Sequence, residues 1–211
     1  MDRDKLFNKI DSFKDELIKM RRHIHAHPEL SGLENQTAIL ISGYLKNIGG
    51  RVTESVGRTG VVADFGPKDK GFIGLRVDMD ALPIYENTNL SFSSKIDGVM
   101  HACGHDLHTC IGLGVAKIIK DLNLKFGTRI IFQPAEEIAS GARWMIDDGV
   151  TIGLKQILGV HVFPELLVGT IGIKEGSLTA AAGELSVEIC GKSGHGARPH
   201  EGVDAIWAAS K

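Results

Sequence analysis

Apolar residues recur at intervals of three and four positions along the first part of the chain. This spacing places them on one face of an α-helix, and it predicts a helix over about residues 3–25 whose other face is charged. A second helix is predicted over about residues 34–48, where Gly49 and Gly50 supply a stop signal. The first pattern comprises Leu6, Ile10, Phe13, Leu17, Met20 and Ile24.

From residue 51 the pattern changes to short β-rich runs separated by glycine, proline and charged turn residues. Later runs are separated by helical patterns, which predicts an α/β fold with a mainly parallel sheet flanked by helices. The two last runs are almost entirely apolar, as is typical of strands buried on both faces. The predicted strands are 51–56, 61–65, 72–77, 128–133 and 156–162. One further helix is predicted to end near residue 122, and another is predicted over residues 142–148.

Side chains able to bind metals or move protons follow the ends of these elements. Two carboxylates end the third strand, two follow the fourth, a histidine ends the fifth, and a thiol and an imidazole precede a helix. Because sites in α/β sheets assemble outside the carboxyl ends of the strands, we expect these side chains to lie close together. They are Asp78, Asp80, Cys103, His105, Glu136, Glu137 and His161.

The chemistry of this set favours a transition metal. A helix N-terminus favours the thiolate form of Cys103, which binds metal, and a mixed thiolate, imidazole and carboxylate set suits zinc, manganese, cobalt or nickel better than calcium or magnesium. One of Glu136 and Glu137 can bind the metal while the other acts as general base. Two alternatives stay open. One is a set without a metal: a buried thiol beside capping residues, a solvated pair of glutamates at a helix start and a core histidine. The other is a Cys103 nucleophile paired with His105 or His108.

Composition narrows the classes of partner. The net charge of -2 and the absence of a short block of basic and aromatic residues predict no nucleic-acid partner. No apolar run approaches the length of a membrane span, and the charged N-terminus is unlike a signal peptide. Three cysteines are an odd number that fits a reducing compartment, so a cytoplasmic location is expected, with Cys110 and Cys190 as core thiols. His25 and His27 are interpreted as structural, with a position facing the site as the alternative.

The last part of the chain has a different pattern. Residues 169–176 and 184–191 alternate like strands with one exposed face, and small residues lie between them. The sequence therefore predicts a first domain over residues 1–182 and a second over 183–211. The final helix, from about residue 203, has no C-terminal capping signal before Lys211.

Five stretches, in the same order, resemble motifs of the M20D branch of the M20 metallopeptidases. That branch contains aminoacylase-like and hippurate-hydrolase-like amidohydrolases, N-acetyl-diaminopimelate deacetylases, auxin-conjugate hydrolases and some carboxypeptidases. Because five linked motifs match over nearly the whole chain, the resemblance is specific. The stretches are 76–83 (RVDMDALP), 101–106 (HACGHD), 132–137 (FQPAEE), 159–162 (GVHV) and 194–200 (GHGARPH).

The resemblance implies a zinc-exopeptidase-like catalytic domain and the start of an α+β lid and dimerisation domain. It implies two divalent ions per site, with Glu136 as the general base toward water activated by the metal. It also implies that His195 is the lid histidine that, in dimeric relatives, reaches the partner's site and steadies the oxyanion. Asp78 and Asp80 would orient the ligands, which would be Cys103, His105, Glu137 and His161.

The function implied is metal-dependent hydrolysis of the amide bond in N-acyl amino acids or related small peptides. Members of the family are close to twice as long and return to the catalytic domain to supply a further histidine ligand. We therefore expect the 211-residue chain to be an N-terminal portion with weak or no activity, and the full-length protein to be a homodimer. The alternatives are a non-catalytic metal-binding remnant of the same scaffold and a cysteine-nucleophile hydrolase.

Overall fold

The computed structural model describes residues 2–122, 124–178 and 185–211. The chain forms two compact units, Met1–Pro164 and Glu165–Lys211. The domain boundary predicted between residues 182 and 183 lies outside the described residues, and it stays a prediction. Among the described residues, no helix is both long enough and apolar enough to span a bilayer.

The first unit is a five-stranded sheet with helices. Its strand order is β1-β2-β4-β3-β5. Strands β3, β4 and β5 are parallel, β2 is antiparallel to both of its neighbours, and four of the five strands therefore point the same way. This arrangement confirms the predicted α/β class. The elements are α1 (Arg3–Ala26), α2 (Asn35–Asn47), β1 (Arg51–Val56), β2 (Gly60–Phe65), β3 (Phe72–Asp78), α3 (His105–Ile119), β4 (Gly127–Gln133), α4 (Gly141–Asp147) and β5 (Leu154–Gly159).

Two apolar clusters cover the two faces of the sheet. The larger cluster joins α2 and α3 to β2, β3 and β4, and Phe132 and Leu113 are among its fully buried members. The smaller cluster joins α4 to β2 and β4 through Met145, Val62 and Ile131. Because successive side chains of a strand point to opposite faces, neighbours such as Ile131 and Phe132 contribute to different clusters.

Strand β5 differs from the prediction of a buried strand over residues 156–162. It ends at Gly159 and lies at the edge of the sheet. Ile157 and Leu158 are 54% and 61% exposed. The prediction of burial was wrong because an apolar run indicates a strand but not its position in the sheet.

The second unit has little regular structure in its described part. A 3-10 turn (Pro199–Glu201) precedes a short helix, α5 (Ala205–Ala209), and Lys192 pairs with Val203 in an isolated bridge. The predicted strand over 169–176 does not form, and the described residues of the one predicted over 184–191 form none. Cys190 is exposed, which corrects the prediction of a core thiol; Cys110 is buried as predicted. Without a paired strand, no face of residues 185–191 is turned inward.

The loop before α2 connects the first helices to the carboxyl edge of the sheet. Ala81 donates its N–H to the carbonyl of Glu29 (2.8 Å), and the Ser31 hydroxyl donates to Asp80 (2.7 Å). Glu34 has no exposed surface. Its carboxylate accepts from the Thr59 hydroxyl (2.5 Å) and from the backbone N–H of Gly32 and of Ala135, at 2.8 Å each. This loop therefore braces the segments that follow β3 and β4.

The segment after β4 has an unusual backbone. Ala135 has a φ of 48°, in the left-handed region that L-residues other than glycine rarely adopt. Its carbonyl accepts from the N–H of Ser140 and of Gly141, and a Cβ at Gly141 would lie 1.6 Å from the Pro134 oxygen. Glycine is therefore required at residue 141. The hydrogen bond that the N–H of Ala135 donates to the Glu34 carboxylate helps to hold Ala135 in its unfavourable conformation.

A second buried polar group lies between α1 and α3. The His25 ring contacts Asp106 through Nδ1 (2.8 Å) and Glu86 through Nε2 (3.2 Å), and Arg21 pairs with Asp106 at 2.7 Å. The bond to Asp106 raises the pKa of His25, and the pKa of Asp106 is lowered in spite of its burial. The interpretation of His25 as structural is confirmed.

We predict that Glu34→Ala lowers the free energy of unfolding by roughly 2–4 kcal/mol, because the buried N–H of Ala135 and the Thr59 hydroxyl lose their acceptor. Urea unfolding of the 211-residue chain measures the change. Asp15→Ala, on the exposed face of α1, is the matched control and should change little. A Glu34→Ala protein as stable as the control would contradict the bracing role.

We also predict that His25→Gln destabilises the fold more at pH about 5.5 than at pH about 8.5. Because the pKa of His25 is higher in the folded protein than its ordinary value of 6.5, protonation of His25 stabilises the fold fully at pH values below 6.5. This contribution is lost as the pH rises through the pKa of His25 in the folded protein. Asp106, with a lowered pKa, stays ionised across this window. Urea unfolding at both pH values measures the difference. His23→Gln is the control, because burial lowers the pKa of His23; equal losses at the two pH values for His25→Gln would contradict the assignment.

Candidate metal centre

The predicted site residues of the first unit lie together at the carboxyl edge of the sheet. Asp78 ends β3 and Asp80 follows it, the pair Glu136 and Glu137 follows β4, and His161 follows β5. The Cys103 turn lies beside them and leads into α3. Gly104, which precedes α3, has a φ of 86°, and a Cβ there would lie 2.6 Å from Val162, so only glycine fits this turn.

His105 is at the centre of the cluster and is fully buried. Its Nδ1 donates to Asp80 at 3.1 Å. Its Nε2 is buried without a hydrogen-bond partner among the described residues, 3.6 Å from Glu137 and 3.9 Å from Glu136. A bare ring nitrogen aimed at carboxylates is the geometry of a metal ligand whose other nitrogen is held by a carboxylate.

His161 and Cys103 form the exposed side of the cluster. The Nδ1 of His161 donates to the Val162 carbonyl at 2.7 Å, so its Nε2 carries no proton in the neutral ring. That Nε2 lies 3.4 Å from the Cys103 sulfur. Two imidazole nitrogens and a sulfur therefore face the same space.

Three overlapping groups of side chains could hold a metal ion, among the residues that the structure describes. Within each group, the candidate ligand atoms lie within 4.8 Å of one another, and His105 belongs to all three. The four predicted ligands and Glu136 are therefore brought together by two of these groups. The groups are Cys103, His105 and His161; His105, Glu136 and Glu137; and Asp78, His105 and His108.

The electrostatics of the cluster also fit a cation. Burial, the charge of Glu137 and the neighbouring acids raise the pKa of Cys103 to about 12. The pKa of Glu137 is raised, with burial as the largest cause; the charge of His105 opposes this shift, and the charges of Glu136 and Asp80 add to it. The Glu137 oxygen Oε1 is buried and has no hydrogen-bond partner within the described part of the chain. A divalent cation would neutralise this repulsion and satisfy that oxygen.

Asp78 and Asp80 hold the side chains around the cluster. Both are buried, yet hydrogen bonds from histidine and neighbouring positive charge lower the pKa of both carboxyls. Asp80 also accepts from the backbone N–H of Glu137 at 3.0 Å. The two aspartates therefore lie where side chains that orient metal ligands are expected.

The electrostatics around the thiol argue against Cys103 as a nucleophile. A nucleophilic cysteine needs a lowered pKa and an electropositive environment, whereas the acidic neighbours raise the pKa of this thiol to about 12. His108 cannot serve as its base, because the His108 ring contacts Asp78 and the N–H of Val162.

His195 lies in the second unit. Its Nδ1 accepts from the N–H of Ala197 at 3.1 Å, and the side chain is exposed. Its role as the lid histidine stays a prediction.

Ser31, Glu34 and the bond from Val162 to His108 were not predicted. Glu34 lies 101 residues from its partner Ala135, and His108 lies 54 residues from Val162. A carboxylate at the start of a helix is usually a cap, so a single sequence holds no signal for the contact with Ala135.

Comparison with known proteins agrees with this geometry. Residues 74–209 match the model of Peptidase family M20/M25/M40. The chain is 44% identical to N-acetyl-L-cysteine deacetylase of Bacillus subtilis, over 96% of this chain and 49% of that protein. It is 41% identical to N-acyl-L-amino acid amidohydrolase of Geobacillus stearothermophilus, over 98% of this chain and 57% of that protein.

Among solved structures, the YXEP protein of Bacillus subtilis, a dinuclear metal binding peptidase from the M20 family, is similar with a TM-score of 0.75 and 47% identity. The alignment covers 79% of this chain and 48% of that one. The chain thus spans about half the length of the curated relatives it matches. Because the family model matches well over half of its residues, the chain belongs to Peptidase family M20/M25/M40.

Proposed function

We propose that the protein is a metal-dependent amidohydrolase that cleaves the amide bond of N-acyl amino acids or related small peptides. The observation that carries this proposal is the buried Nε2 of His105, which has no hydrogen-bond partner in the described structure and lies beside Glu137, Glu136 and the Cys103 turn. Relatives that act as a deacetylase and as an N-acyl amino acid amidohydrolase support the class of substrate.

We assign metal binding to the thiolate, the two imidazoles and one carboxylate of the cluster. His105 and His161 both have Nδ1 held by an oxygen and Nε2 facing the cluster, which leaves one nitrogen of each ring for a metal. Two ions per site, drawn from zinc, manganese, cobalt and nickel, fit the mixed donors, and a dinuclear relative supports that number. The assigned ligands are Cys103, His105, Glu137 and His161.

A divalent cation bound there would supply Lewis acidity that polarises the amide carbonyl and lowers the pKa of a water molecule. Glu136 is assigned as the general base. Its side chain is 39% exposed, compared with 19% for Glu137, and its carboxylate lies farther from His105. It can therefore accept a proton from water and return it to the departing amine.

We further propose that His195 steadies the oxyanion from a partner subunit of a homodimeric full-length protein, and that the protein acts in the cytoplasm. The alternative is a scaffold that binds metal without turnover. Reduced or absent activity of the 211-residue chain stays a prediction, and turnover comparable to that of a relative of full length would contradict it.

We predict that metal binding releases a proton from Cys103. The thiol is protonated near neutral pH because its pKa is raised to about 12, whereas the thiolate is the ligand. Affinity for Zn²⁺ should therefore rise about tenfold per pH unit from pH about 7.5 to about 8.5.

Calorimetry in two buffers with different ionisation enthalpies counts the protons released. Cys103→Ser should release one fewer. Cys110→Ser is the matched control, because Cys110 has a similarly raised pKa of about 12 but lies outside the cluster. Equal proton release by the wild type and Cys103→Ser would show that Cys103 is not a ligand.

We also predict that Glu136→Gln and Glu137→Gln separate catalysis from metal binding. Glu136→Gln should keep the metal content of the wild type and lower the rate of hydrolysis by about 10²–10⁴-fold. Glu137→Gln should lose bound metal. Elemental analysis after dialysis measures metal content, and single-turnover assays with excess protein on N-acetyl amino acids measure hydrolysis.

Metal bound without any hydrolysis by the full-length protein would favour the non-catalytic alternative. Loss of metal in Glu136→Gln with retention in Glu137→Gln would reverse the two assignments.

A further inference from the structure

His108 is a buried histidine on α3 whose two ring nitrogens both have a partner. It lies one turn after His105 and has no exposed surface. The backbone N–H of Val162 donates to Nε2 at 2.9 Å. A ring nitrogen that accepts an N–H carries no proton, so the proton lies on Nδ1 and is donated to Asp78 at 2.5 Å.

Val162 is the residue through which His108 reaches the cluster. The N–H of Val162 donates to His108, and its carbonyl accepts from Nδ1 of His161. The N–H and the carbonyl of Val162 therefore connect the buried ring of His108 to the exposed ring of His161. Gly104 packs against the side chain of Val162, where a Cβ would lie 2.6 Å away.

The other end of this chain of contacts is fixed in the sheet. Asp78 is the last residue of β3 and is fully buried, and Arg76 of the same strand pairs with it at 2.7 Å. The threonine that follows His108, Thr109, donates to the Asp78 carbonyl at 3.0 Å. The position of His108 is thus set by β3 as well as by α3.

A competing interpretation is that His108 binds metal itself. Asp78, His105 and His108 form one of the groups whose candidate ligand atoms lie within 4.8 Å of one another. Metal binding by Nε2 of His108 would break its bond from Val162, and binding by Nδ1 would break its bond to Asp78. Both ring nitrogens of His108 therefore already have a hydrogen-bond partner, whereas Nε2 of His105 has none among residues 2–122, 124–178 and 185–211.

We propose that His108 is a positioning residue that fixes His161 for metal binding through the peptide groups of Val162. The proposal rests on the proposed function, because it takes His161 as a metal ligand. Without the bond to His108, residues 161 and 162 would keep fewer contacts to the sheet, and the His161 ring would lose its orientation. Side chains that orient metal ligands typically contribute about 10–100-fold to metal affinity.

Two variants of His108 separate the two interpretations. The amide of glutamine reaches about as far as Nε2 of histidine, so His108→Gln keeps an acceptor for the N–H of Val162. The amide of asparagine reaches about as far as Nδ1, so His108→Asn keeps a donor for Asp78 but does not reach Val162. Both variants remove the imidazole, so a ligand role predicts the same loss in both.

The test is the affinity of the 211-residue chain for Co²⁺ and Zn²⁺, measured by competition with a chromophoric chelator. We expect His108→Gln to bind within about threefold of the wild type and His108→Asn to bind about 10–100-fold more weakly. Equal losses in the two variants would overturn the proposal. Circular dichroism and urea unfolding of the metal-free proteins show that each variant is folded.

A double-mutant cycle with His161→Ala adds a second criterion. If His108 acts through His161, His108→Asn should weaken binding no further once His161 is absent. Additive losses would overturn the proposal. Should His108→Asn fail to fold, retention of affinity by His108→Gln decides between the two interpretations, because a ligand role requires its loss.

The outcomes also distinguish this proposal from the proposed function. A folded wild-type chain that binds neither cation would contradict the metal centre itself. A wild-type chain that binds metal, with His108→Gln as impaired as His108→Asn, would contradict only the role of His108.

Discussion

Mutual repulsion among acidic side chains at one sheet edge is the constraint on which the structure of the site depends. The cluster contains the carboxylates of Asp78, Asp80, Glu136 and Glu137 and the thiol of Cys103, all within a few residues of the end of β3, the end of β4 or the start of α3. Burial is the largest cause that raises the pKa of Glu137 and of Cys103, and neighbouring carboxylates add to both shifts, so ionisation is disfavoured there. Hydrogen bonds from histidine help to lower the pKa of Asp78 and Asp80, whereas His105 Nε2 and Glu137 Oε1 have no hydrogen-bond partner among the described residues.

The fold counters this repulsion with contacts that come from distant parts of the chain. The loop at 29–34 holds Asp80 and the residue before Glu136, and the ring of His108 joins β3 to the segment that follows β5. Glu34 and His108 are buried side chains, and each accepts a hydrogen bond from the backbone N–H of a residue distant in the sequence. Backbone partners cannot rotate away, so the geometry of the cluster is a property of the fold as well as of its own side chains.

The fold and the candidate ligands could be predicted because their signals are local. An apolar run followed by Asp78 and Asp80, or by Glu136 and Glu137, marks the end of a strand, and the ends of parallel strands meet at one edge. The exposure of β5 could not be predicted, because an apolar run does not reveal whether its strand is central or at an edge. The roles of Glu34 and His108 were hidden for another reason. Each accepts a bond from a backbone N–H far along the chain, that of Ala135 or of Val162, and the sequence does not show which backbone groups will lie nearby.

The left-handed conformation of Ala135 has a consequence for how a cation would be bound. A non-glycine residue in this region costs about 1–2 kcal/mol, and Glu34 offsets part of that cost when the chain folds. The loop that bears Glu136 and Glu137 is therefore preorganised. The loop loses its conformational entropy when the chain folds and not when an ion binds. More of the interaction energy between the loop and the ion would therefore contribute to affinity.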